Sequence, residues 1–140
     1  MKQFVFLLMT ALGLLAVEPK VTLVYGSWNP GEGGPVTTRT NPLKQPFGVD
    51  FDAQGNMFIV ELAGGRVHRL TPENIFTTIA GDGSKSYKGD GGPAKAATFN
   101  GMHNVAVTPA GDLYISDSWN FCVRKIDARG MASTVVGTGK

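Results

Sequence analysis

Slid against itself by 56 residues, the sequence aligns without a gap, residues 47–83 over residues 103–139. Seven pairs are identical: Val49/Val105, Gly55/Gly111, Ile59/Ile115, Val67/Val123, Thr78/Thr134, Gly81/Gly137 and Gly83/Gly139. Conservative pairs include Met57/Leu113, Phe58/Tyr114, Glu61/Asp117, Arg69/Lys125, Leu70/Ile126, Thr77/Ser133 and Ile79/Val135. A third, partial copy precedes them. Residues 21–26 resemble the strand ending at Gly81, and Gly31-Glu32-Gly33-Gly34-Pro35 echoes Gly89-Asp90-Gly91-Gly92-Pro93. A chain built from such units buries its apolar faces by stacking one unit on the next.

Within each unit, short runs of Val, Ile, Phe and Tyr alternate with turn residues, the pattern of meandering antiparallel strands. Four strands fit per unit, near 47–52, 56–61, 66–70 and 75–80, then 103–108, 112–117, 122–127 and 132–137. Gly55-Asn56 and Gly111-Asp112 suit the first hairpins, and residues 71–74 and 128–130 turn the next ones. Val49 and Phe51, like Val105 and Val107, share a face because residues two apart on a strand must. Asp50 and Asp52 make the other face polar in the first unit. Four short strands with a Gly/Pro-rich crossover at a fixed period predict an all-β fold, a segment of a propeller with two four-stranded blades.

Composition supports turns and a packed core. The chain has 140 residues, 19 of them Gly, and 17% are charged, which argues against long salt-bridged helices. A net charge of +2 without a Lys/Arg run leaves no electrostatic footprint for nucleic acid. One cysteine makes neither an internal disulfide nor a Cys-based zinc site.

Residues 1–16 carry Lys2 ahead of an apolar stretch over 4–17 that only Thr10 and Gly13 interrupt, followed by Glu18, Pro19 and Lys20. This predicts a secretory signal peptide cleaved near Ala16, since the stretch falls short of the roughly 20 residues that span a bilayer. The alternative is a buried N-terminal strand or helix. Export makes the mature protein secreted or periplasmic, with no membrane span after cleavage. The expected organisation is a signal peptide at 1–16, an outer strand and Gly/Pro-rich crossover at 17–46, a first blade at 47–83, a crossover loop at 84–102 and a second blade at 103–140.

The run 49–61, the run Val105-Ala-Val-Thr-Pro-Ala-Gly-Asp-Leu-Tyr-Ile-Ser-Asp117-Ser-Trp-Asn120, the segment Val123-Arg-Lys-Ile126 and the Gly-Asp-Gly-Gly-Pro crossover together resemble NHL-repeat β-propellers. These motifs mark the fold far more than the function. The sequence departs from the family where His-Arg often follows the Asn of the third strand: Phe121-Cys122 stand there, and Gly64-Gly65 in the first unit.

A propeller closes with roughly four to eight blades, whereas this chain supplies two and a spare strand at 21–26, suited to latch a ring. Three explanations stand: a fragment of a longer, six-bladed propeller, which is the expectation; a ring assembled from several copies; or an open two-blade piece.

The start of strand one, the end of strand two, the start of strand three and the end of strand four share one rim. That rim collects His103, Asp117, Trp119, Phe121 and the 81–102 crossover. Their first-unit equivalents, apart from Glu61, are Phe47, Ala63 and Gly65, so the repeat does not require His103, Trp119 or Phe121, and these are the better functional candidates. His103 and Asn104 stand where a central channel would open. His103 could act as base or metal ligand, or simply replace Phe47 at a blade junction. Trp119 and Phe121 suit a contact patch or packing on a neighbouring blade. Asp117 and Glu61 recur, which favours acceptance of backbone N–H bonds in the next loop over metal ligation. The Gly81–Ser86 segment lacks the order of a phosphate loop, and Asp82 and Asp90 miss the calcium-loop spacing; a connecting loop accounts for both. Cys122, within a strand, reads as an inert packed thiol.

These residues suggest an exported, noncatalytic module binding a protein or small ligand through His103, Asn104, Trp119 and Phe121, with no cofactor and with self-assembly open. The rival is enzymatic. The resemblance extends to propellers similar to gluconolactonases, strictosidine-synthase-like proteins and peptide-amidating lyases, which implies a divalent metal in the central channel of a complete ring, with His103 and Asn104 as this chain's contributions. A third reading is repeat filler without a site.

Overall fold

The computed structural model describes residues 43–139; the expected signal peptide and the strand at 21–26 lie outside the described residues. Among the described residues eight strands form: β1 Pro46–Phe51, β2 Met57–Glu61, β3 Val67–Leu70, β4 Phe76–Ala80, β5 Met102–Val107, β6 Leu113–Asp117, β7 Cys122–Ile126 and β8 Ala132–Gly137. They pair antiparallel, in chain order, as two four-stranded sheets. Among the described residues the helical pieces are two short 3-10 turns, Ala94–Ala96 and Ser118–Asn120, and no helix is long and apolar enough to cross a membrane.

Strand periodicity builds the core. Gly48, Val60, Val67 and Ala80 lie across one another in the first blade, and that face meets Val105, Ile115, Leu113, Ile126 and Ala132 of the second. The crossover contributes more than a connection: Ala94, Ala97 and Phe99 are fully buried in the same cluster. Single bridges, Lys88 to Thr98 and Pro93 to Met131, staple it to itself and to the second blade.

The inner strands β1 and β5 touch where Gly48 leaves room. A Cβ there would lie 2.7 Å from the Asn104 Cα and 2.9 Å from the His103 carbonyl oxygen, so a side chain would push the blades apart. Beside this contact, the Val107 N–H donates to Asp50 Oδ2 at 2.7 Å, joining the two blades.

Both inner strands begin with a bulge. Pro46 pairs with Glu61 and Gly48 with Val60, which leaves Phe47 as the extra residue; Met102 pairs with Asp117 and Asn104 with Ser116, which leaves His103. Bulged residues are re-aimed out of the alternation, and here both turn toward the rim. The outer pairs repeat the device at Ile79 and Val135.

Candidate functional site

Beneath the rim, each blade buries a carboxylate at the end of its second strand. Asp117 Oδ1 accepts the Asn100 N–H at 2.6 Å and Glu61 Oε1 the Lys44 N–H at 2.7 Å. Both carboxylates hold backbone N–H groups, but of the segment leading into the blade. That corrects the expectation of the next loop: the carboxylate anchors the arriving chain so that the inner strand starts at a set height.

The surroundings of the two carboxylates differ. Asp117 is fully buried, with Arg124 Nη1 at 3.6 Å and the Asn120 side-chain N–H donating at 2.8 Å. Arg124, also fully buried, donates to the carbonyls of Thr98 and Lys88, each at 3.2 Å, and pairs with Asp90 at 2.8 Å. Its guanidinium lies 5.1 Å from the Tyr87 ring and 5.2 Å from Phe99, so cation–π contacts add to the hydrogen bonds. Burial raises the Asp117 carboxyl above its ordinary value despite these donors. In the first blade the aligned basic residue is His68, whose Nδ1 meets Thr78 Oγ1 at 3.0 Å and whose Nε2 stands 3.4 Å from Glu61. Burial pushes the Glu61 carboxyl up, and the donors His68 and Lys44 overcome it, holding the group below its usual value.

Cys122 closes off one chemical possibility. Burial, then the nearby Asp117 charge, pushes its thiol up to about 11, far from the thiolate a nucleophile needs at neutral pH.

On the rim, three aromatic rings converge. Phe47 meets His103 edge-on at 4.9 Å between centroids, and His103 meets Trp119 at 6.4 Å. The His103 Nδ1–H donates to the Gly101 carbonyl at 2.8 Å, so the lone pair of the neutral ring sits on Nε2. Trp119 is set by its backbone: the N–H groups of Ser118 and Trp119 donate to the carbonyls of Gly101 and Asn100. Its indole lies against Gly101, where a Cβ would come within 2.3 Å of the ring, and Lys85 Nζ stands 5.8 Å from the ring centre. Half of Trp119 and 59% of Phe47 remain exposed.

The four predicted site residues therefore part company. His103 and Trp119 join one cluster, and Asn104, exposed, adjoins it on β5. Phe121, 72% exposed, caps the short turn Ser118–Asn120 in left-handed conformation. His103 does pack at the blade junction, against the residue it aligns with. The sequence reading missed Phe47 and Lys85 as members of the cluster and Arg124 as the anchor beneath it. The signal for Arg124 was a charge on a strand position whose neighbours two away, Cys122 and Ile126, are apolar. Among the described residues no group of three or more His, Cys, Asp or Glu is arranged to hold a metal ion.

Residues 99–126 match the family model of the NHL repeat. No curated protein matches the chain. Solved structures do. A protein of unknown function from Bacteroides thetaiotaomicron is 23% identical with a TM-score of 0.59 over 67% of this chain and 24% of its own. Virginiamycin B lyase from Staphylococcus aureus is 9% identical with a TM-score of 0.52, over 67% of this chain and 27% of its own. An auxiliary nutrient binding protein from Bacteroides thetaiotaomicron is 21% identical with a TM-score of 0.52, over 64% and 25%. The chain thus spans about a quarter of the length of these structures, and the likeness is one of fold.

Proposed function

We propose that this chain, which belongs to the NHL-repeat β-propellers by its repeat and its blades, is an exported binding module that captures a protein or small ligand on its aromatic rim without catalysis of its own. One observation carries the reading: Phe47, His103 and Trp119 gather at the rim with apolar surface left open, although the repeat places only Ala63 where Trp119 stands. Exposed aromatic side chains with a cation beside them are the groups that dominate binding surfaces.

The test is a ligand screen on the full chain by NMR, following the Trp119 indole N–H. Ligands that shift it should lose about tenfold or more in affinity in Trp119→Ala, the cost of removing a central aromatic anchor, and His103→Ala should weaken them too. Binding indifferent to both substitutions would sink the reading. Export is tested by fusing residues 1–20 to a reporter that is active only outside the cytoplasm.

The enzymatic alternative draws on the lyase among the similar structures. In it, His103 and Asn104 serve a divalent metal held together with residues beyond those described. Stoichiometric metal on the full chain, lost in His103→Ala, would favour it over the binding module.

A further inference from the structure

A cleft lies on the opposite rim, between the blades, and one ion pair of the second blade is missing from the first beside it. In the second blade Lys125 stands across from Tyr114 and pairs with Asp112, Nζ to Oδ2 at 2.6 Å. In the first blade the same positions carry Arg69, Phe58 and Asn56. Asn56 has no charge to offer and turns its side-chain N–H to Asp52 Oδ2 at 2.7 Å. Asp52 is itself occupied, accepting the N–H groups of Gln54 and Asn56 on Oδ1. Among the described residues the Arg69 side chain makes no hydrogen bond and no ion pair within 4 Å, its charge reaches Asp52 only at longer range, and its Nε is buried without an acceptor. A buried donor without an acceptor is unfavourable, and it is the same face of the blade, beside Phe58, that looks into the cleft.

The cleft measures about 320 Å³. Its apolar wall comes from both blades, Phe58 and Ile79 from one and Leu113 and Ile126 from the other. Two carboxylates also line it, each hydrogen-bonded within its own turn: Asp52 as above, and Asp127 to the Arg129 side chain at 2.8 Å, which matches its charge, and to the Met131 N–H at 2.9 Å. Among the described residues Arg69 is the one guanidinium lining the cleft, with hydrogen-bonding capacity open at Nε beside an apolar wall, on a scale that admits a small molecule.

We propose that this cleft binds a small organic monocarboxylate with an apolar body, its carboxylate taken by Arg69 and its body laid on Phe58, Leu113 and Ile126. Guanidinium and carboxylate match as a two-point fork, which a neutral amide or an amine cannot reproduce. The site is independent of the aromatic rim.

Phenylacetate, phenylacetamide and phenethylamine, titrated separately into the full chain, test it through the methyl signals of Leu113 and Ile126 and the Arg69 Nε–H. The acid should saturate these shifts, with the amide and the amine weaker by about tenfold or more, the loss expected on removing a charge-assisted fork. Arg69→Gln should bring the acid down to the level of the amide. Asn56→Asp, in a turn outside the core, should restore the partner that Lys125 enjoys and weaken the acid several-fold with the fold intact, so the test stands even where Arg69→Gln fails to fold. Equal binding of acid and amide, acid binding indifferent to Asn56→Asp, or no shift with any of the three compounds would overturn the proposal.

Discussion

The two blades share a backbone plan, bulge for bulge, and differ in the polar groups they enclose. The second buries a guanidinium between two carboxylates and two rings; the first buries an imidazole between a carboxylate and a threonine. Strand order and register survive the change because apolar alternation and turn residues set them. The polar groups decide something else, and in the second blade they hold the crossover to the sheet. Arg124 reaches Lys88, Asp90 and Thr98 of the crossover, whereas among the described residues His68 meets Glu61, Thr78 and Phe76 of its own blade.

The sharpest way to break this comparison is to remove the two bases in turn. Arg124→Met leaves Asp117 buried and unpaired and should cost about 3–5 kcal/mol of unfolding free energy, the usual penalty for breaking a buried pair from one side. His68→Leu removes the Thr78 hydrogen bond and a donor beside the Glu61 carboxylate, which keeps the Lys44 N–H, and should cost about 1–3 kcal/mol. Urea unfolding of the full chain reads both, and equal losses would mean that the two polar centres do the same job. A smaller effect separates the blade faces. Asp50→Ala orphans the Val107 N–H and should cost about 1–2 kcal/mol, while Ala106→Asp, at the aligned and exposed position of β5, should stay within about 0.5 kcal/mol. Matching losses in the same unfolding assay would show that Asp50 is not a joint between blades.

The smallest effect is in pH. The Glu61 carboxyl is held below its ordinary 4.5, so its contribution to stability is present above that value and lost as pH falls through the folded-state pKa. Asp117 is raised above its ordinary 3.8, so its ionisation opposes folding, and acidification through its folded-state pKa toward 3.8 recovers stability. Urea midpoints followed from about pH 6 to pH 3 should therefore show a shallower acid-side loss in Glu61→Gln and a steeper one in Asp117→Asn. Changes of the same sign would contradict the assigned environments.

Most of the fold was legible in the sequence because it rests on local signals. The expected strand at 66–70 forms as Val67–Leu70 and that at 132–137 as Ala132–Gly137. The bulges were not legible: an extra residue such as Phe47 or His103 looks, in a list of letters, like one more step of the alternation. The candidate site was half legible. Comparing aligned positions singled out His103 and Trp119, which the structure brings into one cluster, but the same comparison hid Arg69. Its match with Lys125 reads as conservative, and the change that matters is in the partner, Asn56 for Asp112. Arg124 escaped for a related reason, since its neutralising group Asp90 lies 34 positions earlier in a stretch that reads as a turn.

The grip of Arg124 on the crossover also bears on how such repeats can be recombined. The unit that recurs in the sequence and the unit that holds together need not share boundaries. A second blade cut at residue 103 would leave behind Phe99, Ala97 and Ala94 from its core and the carbonyls that Arg124 satisfies. The second blade, excised for grafting, permutation or duplication, should therefore carry its preceding crossover, from about residue 84, because physical inheritance here runs from that linker forward to the sheet that follows it.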